Sequence, residues 1–227
     1  MVRIPGQDPA GQKNLPAHPG RFAAGWAVGV LVLLTVATPA RATIVGLNQI
    51  VTPDIQPAGV LALSAQVQHP FIGNSQELQL ELGITPQFEV AYFQGLKPGE
   101  SIFSTELNLV KEGPHLLTIG AVNWSTRGGN PSPVVEYGYY AGADNFILGA
   151  IRVNGRDELL AGYKHVLSDR LQFSADFQAG PANAATVGLT FNFTPSLSIN
   201  PALYRTNSQP HHLLGYVVLT WTVVLWK

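Results

Sequence analysis

Residues Glu77 to Ile84 read ELQLELGI, with Leu78, Leu80, Leu82 and Ile84 on one parity and Glu77, Gln79 and Glu81 on the other. A period of two marks a β-strand whose two faces meet different surroundings. Arg170 to Gln178 repeats the design, with Leu171, Phe173, Ala175 and Phe177 opposite Arg170, Gln172, Ser174, Asp176 and Gln178. In Thr186 to Phe193, Val187, Leu189, Phe191 and Phe193 again share one face. Such segments recur about every fourteen residues after residue 58, and no helical period appears after Thr43. They give twelve candidate strands, near 59–68, 76–85, 87–95, 102–111, 115–124, 133–141, 145–154, 157–166, 170–179, 184–193, 197–205 and 212–226.

The connections alternate in character. Thr85-Pro86, Lys111 to Pro114, Gly142 to Asp144, Leu167 to Asp169 and Thr194 to Ser196 are tight turns. Those between them, such as His69 to Ser75, Ser125 to Ser132 and Thr206 to His211, are longer and rich in Gly, Pro and Asn. Asn154-Gly155-Arg156 is the exception, short where a long loop is due. Short turns at one end and long loops at the other are the habit of transmembrane barrels, and an even strand count returns both ends of the sheet to the short-turn side.

Upstream of the strands lies signal-peptide anatomy. Arg3, Lys13 and Arg21 give a basic start, Ala23 to Val36 an apolar stretch, and Pro39 precedes Ala40-Arg41-Ala42, a small-x-small cleavage pattern. The expected organisation is therefore a signal peptide over 1–42, a periplasmic segment over 43–58 and a barrel domain over 59–227. The segment 43–58 is uncharged except for Asp54, and either tucks into the barrel from below or hangs free. After cleavage the chain would hold nine bases and thirteen acids, a net charge of −4.

Alternating strands also build soluble sandwiches, where the apolar faces meet in a core between sheets. A membrane barrel turns those faces outward to lipid and lines its lumen with the polar ones. The amphipathic strands run the whole length of the chain after residue 58, with no edge strand blunted by lysines. Only four lysines follow Ala42, and 12% charged residues is low for a water-facing surface. Aromatic residues (Phe88, Tyr92, Trp124, Tyr137, Tyr139, Tyr163, Tyr204, Trp221, Trp226) stand near strand ends or on apolar faces, where headgroups favour them. The expected fold class is all-β: a closed antiparallel up-and-down transmembrane β-barrel of about 12 strands.

The last segment, Gly215 to Trp226 (GYVVLTWTVVLW), sets Val217, Leu219, Trp221, Val223 and Leu225 on one face. With the turn-strand units Thr85 to Val90 and Thr194 to Ile199, it resembles the Gram-negative outer-membrane β-barrel proteins in architecture, over roughly Gly59 to Lys227. That resemblance implies residence in the outer membrane, contact with its lipid, and delivery by the outer-membrane assembly machinery reading the C-terminal strand. The chain departs from the usual signal by ending in Lys227 and by placing Trp226 on the parity opposite Trp221.

With apolar faces outward, parity assigns the lumen. Glu77, Glu81, Glu89, Glu106 and Glu136 form an expected acidic wall, and Arg152, Lys164 and Arg170 an expected basic wall across the ring, with Glu158 and Asp176 among them. Opposed charges across a water-filled constriction would filter small polar solutes, and the leading expectation is a passive channel of the porin kind. The alternative is a structural or adhesion barrel whose charges pair across a filled lumen. Arg127, in the loop Trp124 to Pro131, is a candidate constriction residue.

Other chemistry finds little support. No cysteine is present to build a disulfide scaffold or a thiolate site, and neither a metal nor a cofactor is expected. A formal charge of −1 does not suit a nucleic-acid binder. A lipid hydrolase would need a serine within reach of a histidine, and no His-x-Ser arrangement with a nearby Asn occurs, so no enzyme is expected.

Overall fold

The computed structural model describes residues 46–70, 72, 74–97, 99–128 and 130–227; the signal peptide read over 1–42 and the first residues of the segment 43–58 lie outside them. Twelve strands follow in chain order: β1 (Val60–Gln68), β2 (Gln76–Thr85), β3 (Phe88–Lys97), β4 (Ser101–Glu112), β5 (His115–Ser125), β6 (Ser132–Ala141), β7 (Asp144–Val153), β8 (Arg156–Ser168), β9 (Leu171–Gln178), β10 (Ala184–Thr194), β11 (Leu197–Thr206) and β12 (Leu213–Val224). Each pairs antiparallel with its neighbours in sequence, and β1 pairs with β12 from Val60↔Val224 to Gln68↔Tyr216. First meeting last closes the barrel, which removes every sheet edge and excludes the sandwich.

Closure also decides which face meets what. Leu78, Leu80, Phe103, Ile119, Val135, Leu148, Val187, Leu189, Leu203, Leu219 and Trp221 are all exposed on the outside, although each belongs to an alternating strand. No soluble domain leaves so wide an apolar band to water, whereas a hydrocarbon solvent requires it. Near the short turns this band carries a row of rings: His115 against Tyr137 and Tyr139 (centroids 6.0 and 5.3 Å), and Tyr163 against Phe146 and Phe173 (5.3 and 6.4 Å). Trp124 is exposed at the long-loop end. Tyr204 departs from the sequence reading. It points inward and is buried, tilted edge-on to Tyr216 at 5.4 Å.

The odd short connection between β7 and β8 has a local cause. Asn154 and Gly155 both take positive φ, 50° and 78°. That pair suits a two-residue hairpin turn whose twist matches the strands.

Candidate functional site

The lumen is where this barrel departs from a simple pipe. Residues 46–57 enter it, rise towards the long-loop end, turn, and descend to the start of β1. The turn is closed by the Leu47 amide donating to the Ile50 carbonyl at 3.0 Å. Pro53 and Pro57 each lack an amide proton, so the returning leg cannot join the sheet as another strand. Its backbone bonds to the wall's backbone at the foot, where Ala58 bridges Gly83 and the Gly59 amide donates to the Gly83 carbonyl at 2.8 Å.

Side chains of the wall satisfy the hairpin's backbone instead. Asp176 accepts the amides of Asn48 (2.7 Å) and Gln49 (3.2 Å). Asn48 donates from Nδ2 to Thr186 Oγ1 at 3.0 Å, accepts from Ser174 Oγ at 3.0 Å, and its carbonyl accepts the Tyr204 hydroxyl. On the descending leg, the Pro53 carbonyl accepts from Thr118 Oγ1 at 2.9 Å, Asp54 pairs with Lys164 at 3.4 Å, and the Gln56 amide donates to Glu89. At the tip, Leu47 and Ile50 are buried among Val122, Val134, Ile147, Ile151 and Leu160, an apolar core inside the barrel. Each such side chain is worth about 1.5–3 kcal/mol when withdrawn from water. Together with the hydrogen bonds this makes the hairpin part of the folded barrel.

The wall is shaped to receive it. Inward glycines stand where the hairpin passes: a Cβ on Gly188 would lie 2.0 Å from Asn48 Oδ1, and one on Gly162 2.5 Å from Leu47 Cδ1. On Gly138 it would lie 2.8 Å from Pro53 Cγ, and on Gly83 2.2 Å from the Pro57 carbonyl oxygen. Glycine inside a strand often marks a close approach of another segment.

Glu77, Glu81, Glu89, Glu106 and Glu136 occupy inward positions and are buried. Glu89 and Glu106 face each other across β3 and β4, and Glu136 is 0% exposed. Glu77 stands nearer the long loops and accepts from Asn74 Nδ2 (2.8 Å) and Gln79 Nε2 (2.9 Å). Of the three bases read as the opposite wall, only Lys164 points inward, and the hairpin's Asp54 holds it. Arg152 is a correction. It shares its parity with Phe146 and Leu148, its side chain is 59% exposed, and it pairs with Asp157 at 2.7 Å. Arg170 is another, because it lies exposed in the turn before β9, its amide donating to Ser168 Oγ at 3.3 Å. Arg127 does not reach into the mouth. It is exposed and donates to the Gly99 carbonyl of the neighbouring loop at 3.1 Å.

Above the hairpin tip a cavity of about 660 Å³ lies towards the long loops, lined by Gln66, Gln68, Glu77, Gln79, Asn123, Asn183, Tyr204 and Tyr216 among others. Among the described residues, its lining holds no lysine or arginine. Beside the hairpin a smaller void of about 30 Å³ touches Glu81, Glu89, Phe93, Ser104 and Glu106, and shares Glu81, Phe93 and Ser104 with the larger cavity. That is room enough to hold water.

No family model matches the chain, and no curated protein does. Solved structures do. A structure described as the NanC porin superposes with a TM-score of 0.50 at 8% identity, covering 72% of this chain and 98% of that one. One described as the KdgM porin in complex with disordered oligogalacturonate gives 0.54 at 7% identity, over 71% of this chain and 98% of that one. The fold is thus that of the outer-membrane porins: a closed, all-antiparallel barrel of twelve strands.

Proposed function

We propose that the protein is an outer-membrane channel for small polar solutes that favours cations and neutral molecules over anions. The observation that carries this reading is the unbalanced lumen. Glu77, Glu81, Glu89 and Glu106 line its cavities, while Lys164 is already matched by Asp54. A solute would enter the 660 Å³ vestibule between the long loops and pass the hairpin on its β2–β4 side, along Phe93, Ser104 and the glutamates. Acidic side chains in a narrow, low-dielectric passage raise the local concentration of cations and repel anions. Galacturonate units carry carboxylates, and a vestibule without lysine or arginine is poorly suited to the ligand named for KdgM. The exposed apolar band would sit in outer-membrane lipid, and β12 would serve as the contact for the assembly machinery.

Reversal potentials across a salt gradient test the charge claim. The native barrel is expected to prefer potassium over chloride, and Glu81→Gln, Glu89→Gln and Glu106→Gln together should move the reversal potential towards zero. A native barrel preferring chloride would sink the reading. The hairpin favours a second reading, a barrel that transports nothing because its own chain fills it; that reading predicts a folded protein silent in the same bilayers.

A further inference from the structure

We infer that residues 46–57 are a permanent constriction, folded with the barrel, which sets the size limit of the passage. The inference rests on the channel reading and adds what determines its selectivity by size. A ring of eight strands is filled by its own side chains, and one of sixteen or more leaves an aqueous channel. Twelve strands fall between the two, leaving an axial space that side chains alone do not close. Here two passes of chain occupy that space, one beside β9 and β10, the other beside β3 and β5.

Three independent features fix the hairpin in place. Its tip residues Leu47 and Ile50 complete an apolar core that the wall would otherwise expose to lumen water. Wall side chains bond to polar groups on both legs, Asp176, Thr186, Ser174 and Tyr204 on the first and Thr118, Lys164 and Glu89 on the second. The wall gives up side chains along its path, at Gly188, Gly162, Gly138 and Gly83. A gate that swings out would leave that apolar core wet and Asp176 without its two amide donors. A fixed element needs no such state, and the groove cut for it fits a resident.

Two variants of the full chain, recorded in planar bilayers beside the native protein, test this. Removing residues 46–57 is expected to raise single-channel conductance by about threefold or more and to admit larger neutral polymers, because both passes of chain leave the lumen. The second variant exploits the absence of native cysteines. A Cβ on Gly188 would stand 2.8 Å from Asn48 Cγ, so Asn48→Cys with Gly188→Cys places two sulfurs within bridging range. Oxidised and reduced forms are expected to conduct equally. Loss of opening on oxidation, recovered on reduction, would overturn permanence and make the hairpin a moving gate. Equal conductance of native and deleted barrels would overturn the constriction while leaving the channel reading intact. Silence of both, with gel mobility showing folded barrels, would overturn the channel reading and this inference with it. Should the deletion fail to refold, the double-cysteine comparison still decides permanence.

Discussion

Valine in place of Gly83 is expected to destabilise the barrel and dislodge the returning leg of the hairpin, whereas valine in place of Gly215 should be tolerated. Both glycines lie within strands, so backbone propensity alone predicts a small gain at each. The difference is what they face. Gly83 points inward, and a Cβ there would stand 2.2 Å from the Pro57 carbonyl oxygen and 2.3 Å from that of Gln56. Both are backbone atoms, so no change of rotamer relieves the clash. Overpacking of this kind costs about 1–3 kcal/mol, and the shorter contacts here belong at the upper end. Gly215 faces outward with nothing within 4 Å of an added Cβ. Its replacement should stay within about 0.5 kcal/mol of native. Urea midpoints of the refolded proteins measure both, and equal midpoints would contradict the placement of the hairpin.

Arginine at Leu148 is expected to cost about 2–4 kcal/mol, the penalty for a cation on the lipid face near the bilayer midplane. Leu148 lies in the middle of β7, is exposed, and is flanked by Tyr137 and Ala161 on the adjacent strands. Arginine at Gln79 should cost little by comparison. Gln79 lines the vestibule and already donates to Glu77 at 2.9 Å, so a cation there gains an acidic neighbour and keeps its water. Refolding equilibria in lipid or detergent separate the two. In a water-soluble protein the order would reverse, because an exposed Leu148 would accept charge freely.

These two faces were partly legible in the sequence, and the reason differs from strand to strand. β10 is polar or small on one parity and apolar on the other, so Val187, Leu189 and Phe191 declare their side at once. β7 is apolar on both, with Ile147 and Ile151 inward against the hairpin tip and Phe146 and Leu148 outward. Period-two logic has no purchase there, so parity does not tell that Arg152 faces out beside Asp157. Tyr204 is a different case: β11 alternates, with Leu197, Ile199 and Leu203 out and Ser198 and Asn200 in, and its parity turns this aromatic inward, where its hydroxyl serves the Asn48 carbonyl. At Arg170 the chain is still turning, so parity within a strand does not apply to it.

The hairpin itself has almost no local signature. Its sequence lacks alternation and carries one charge, Asp54, because its partners are scattered across the wall, more than a hundred residues away at Ser174, Asp176, Thr186 and Tyr204. Its imprint on the wall was the readable signal. Gly83, Gly138, Gly162 and Gly188 fall on inward positions of β2, β6, β8 and β10, where a polar side chain would be the ordinary choice. These four of the inward glycines mark the track of the hairpin, whereas Gly95, Gly120 and Gly149 abut the wall's own groups and Asn74.

Single-channel recording of the refolded native protein tests the central claim most directly, that a passage runs past the hairpin through this barrel. Small, discrete current steps with a reversal potential on the potassium side are predicted, set by Glu81, Glu89 and Glu106 around a narrow residual path. A folded barrel that inserts yet carries no steps, or carries steps that favour chloride, would contradict the account.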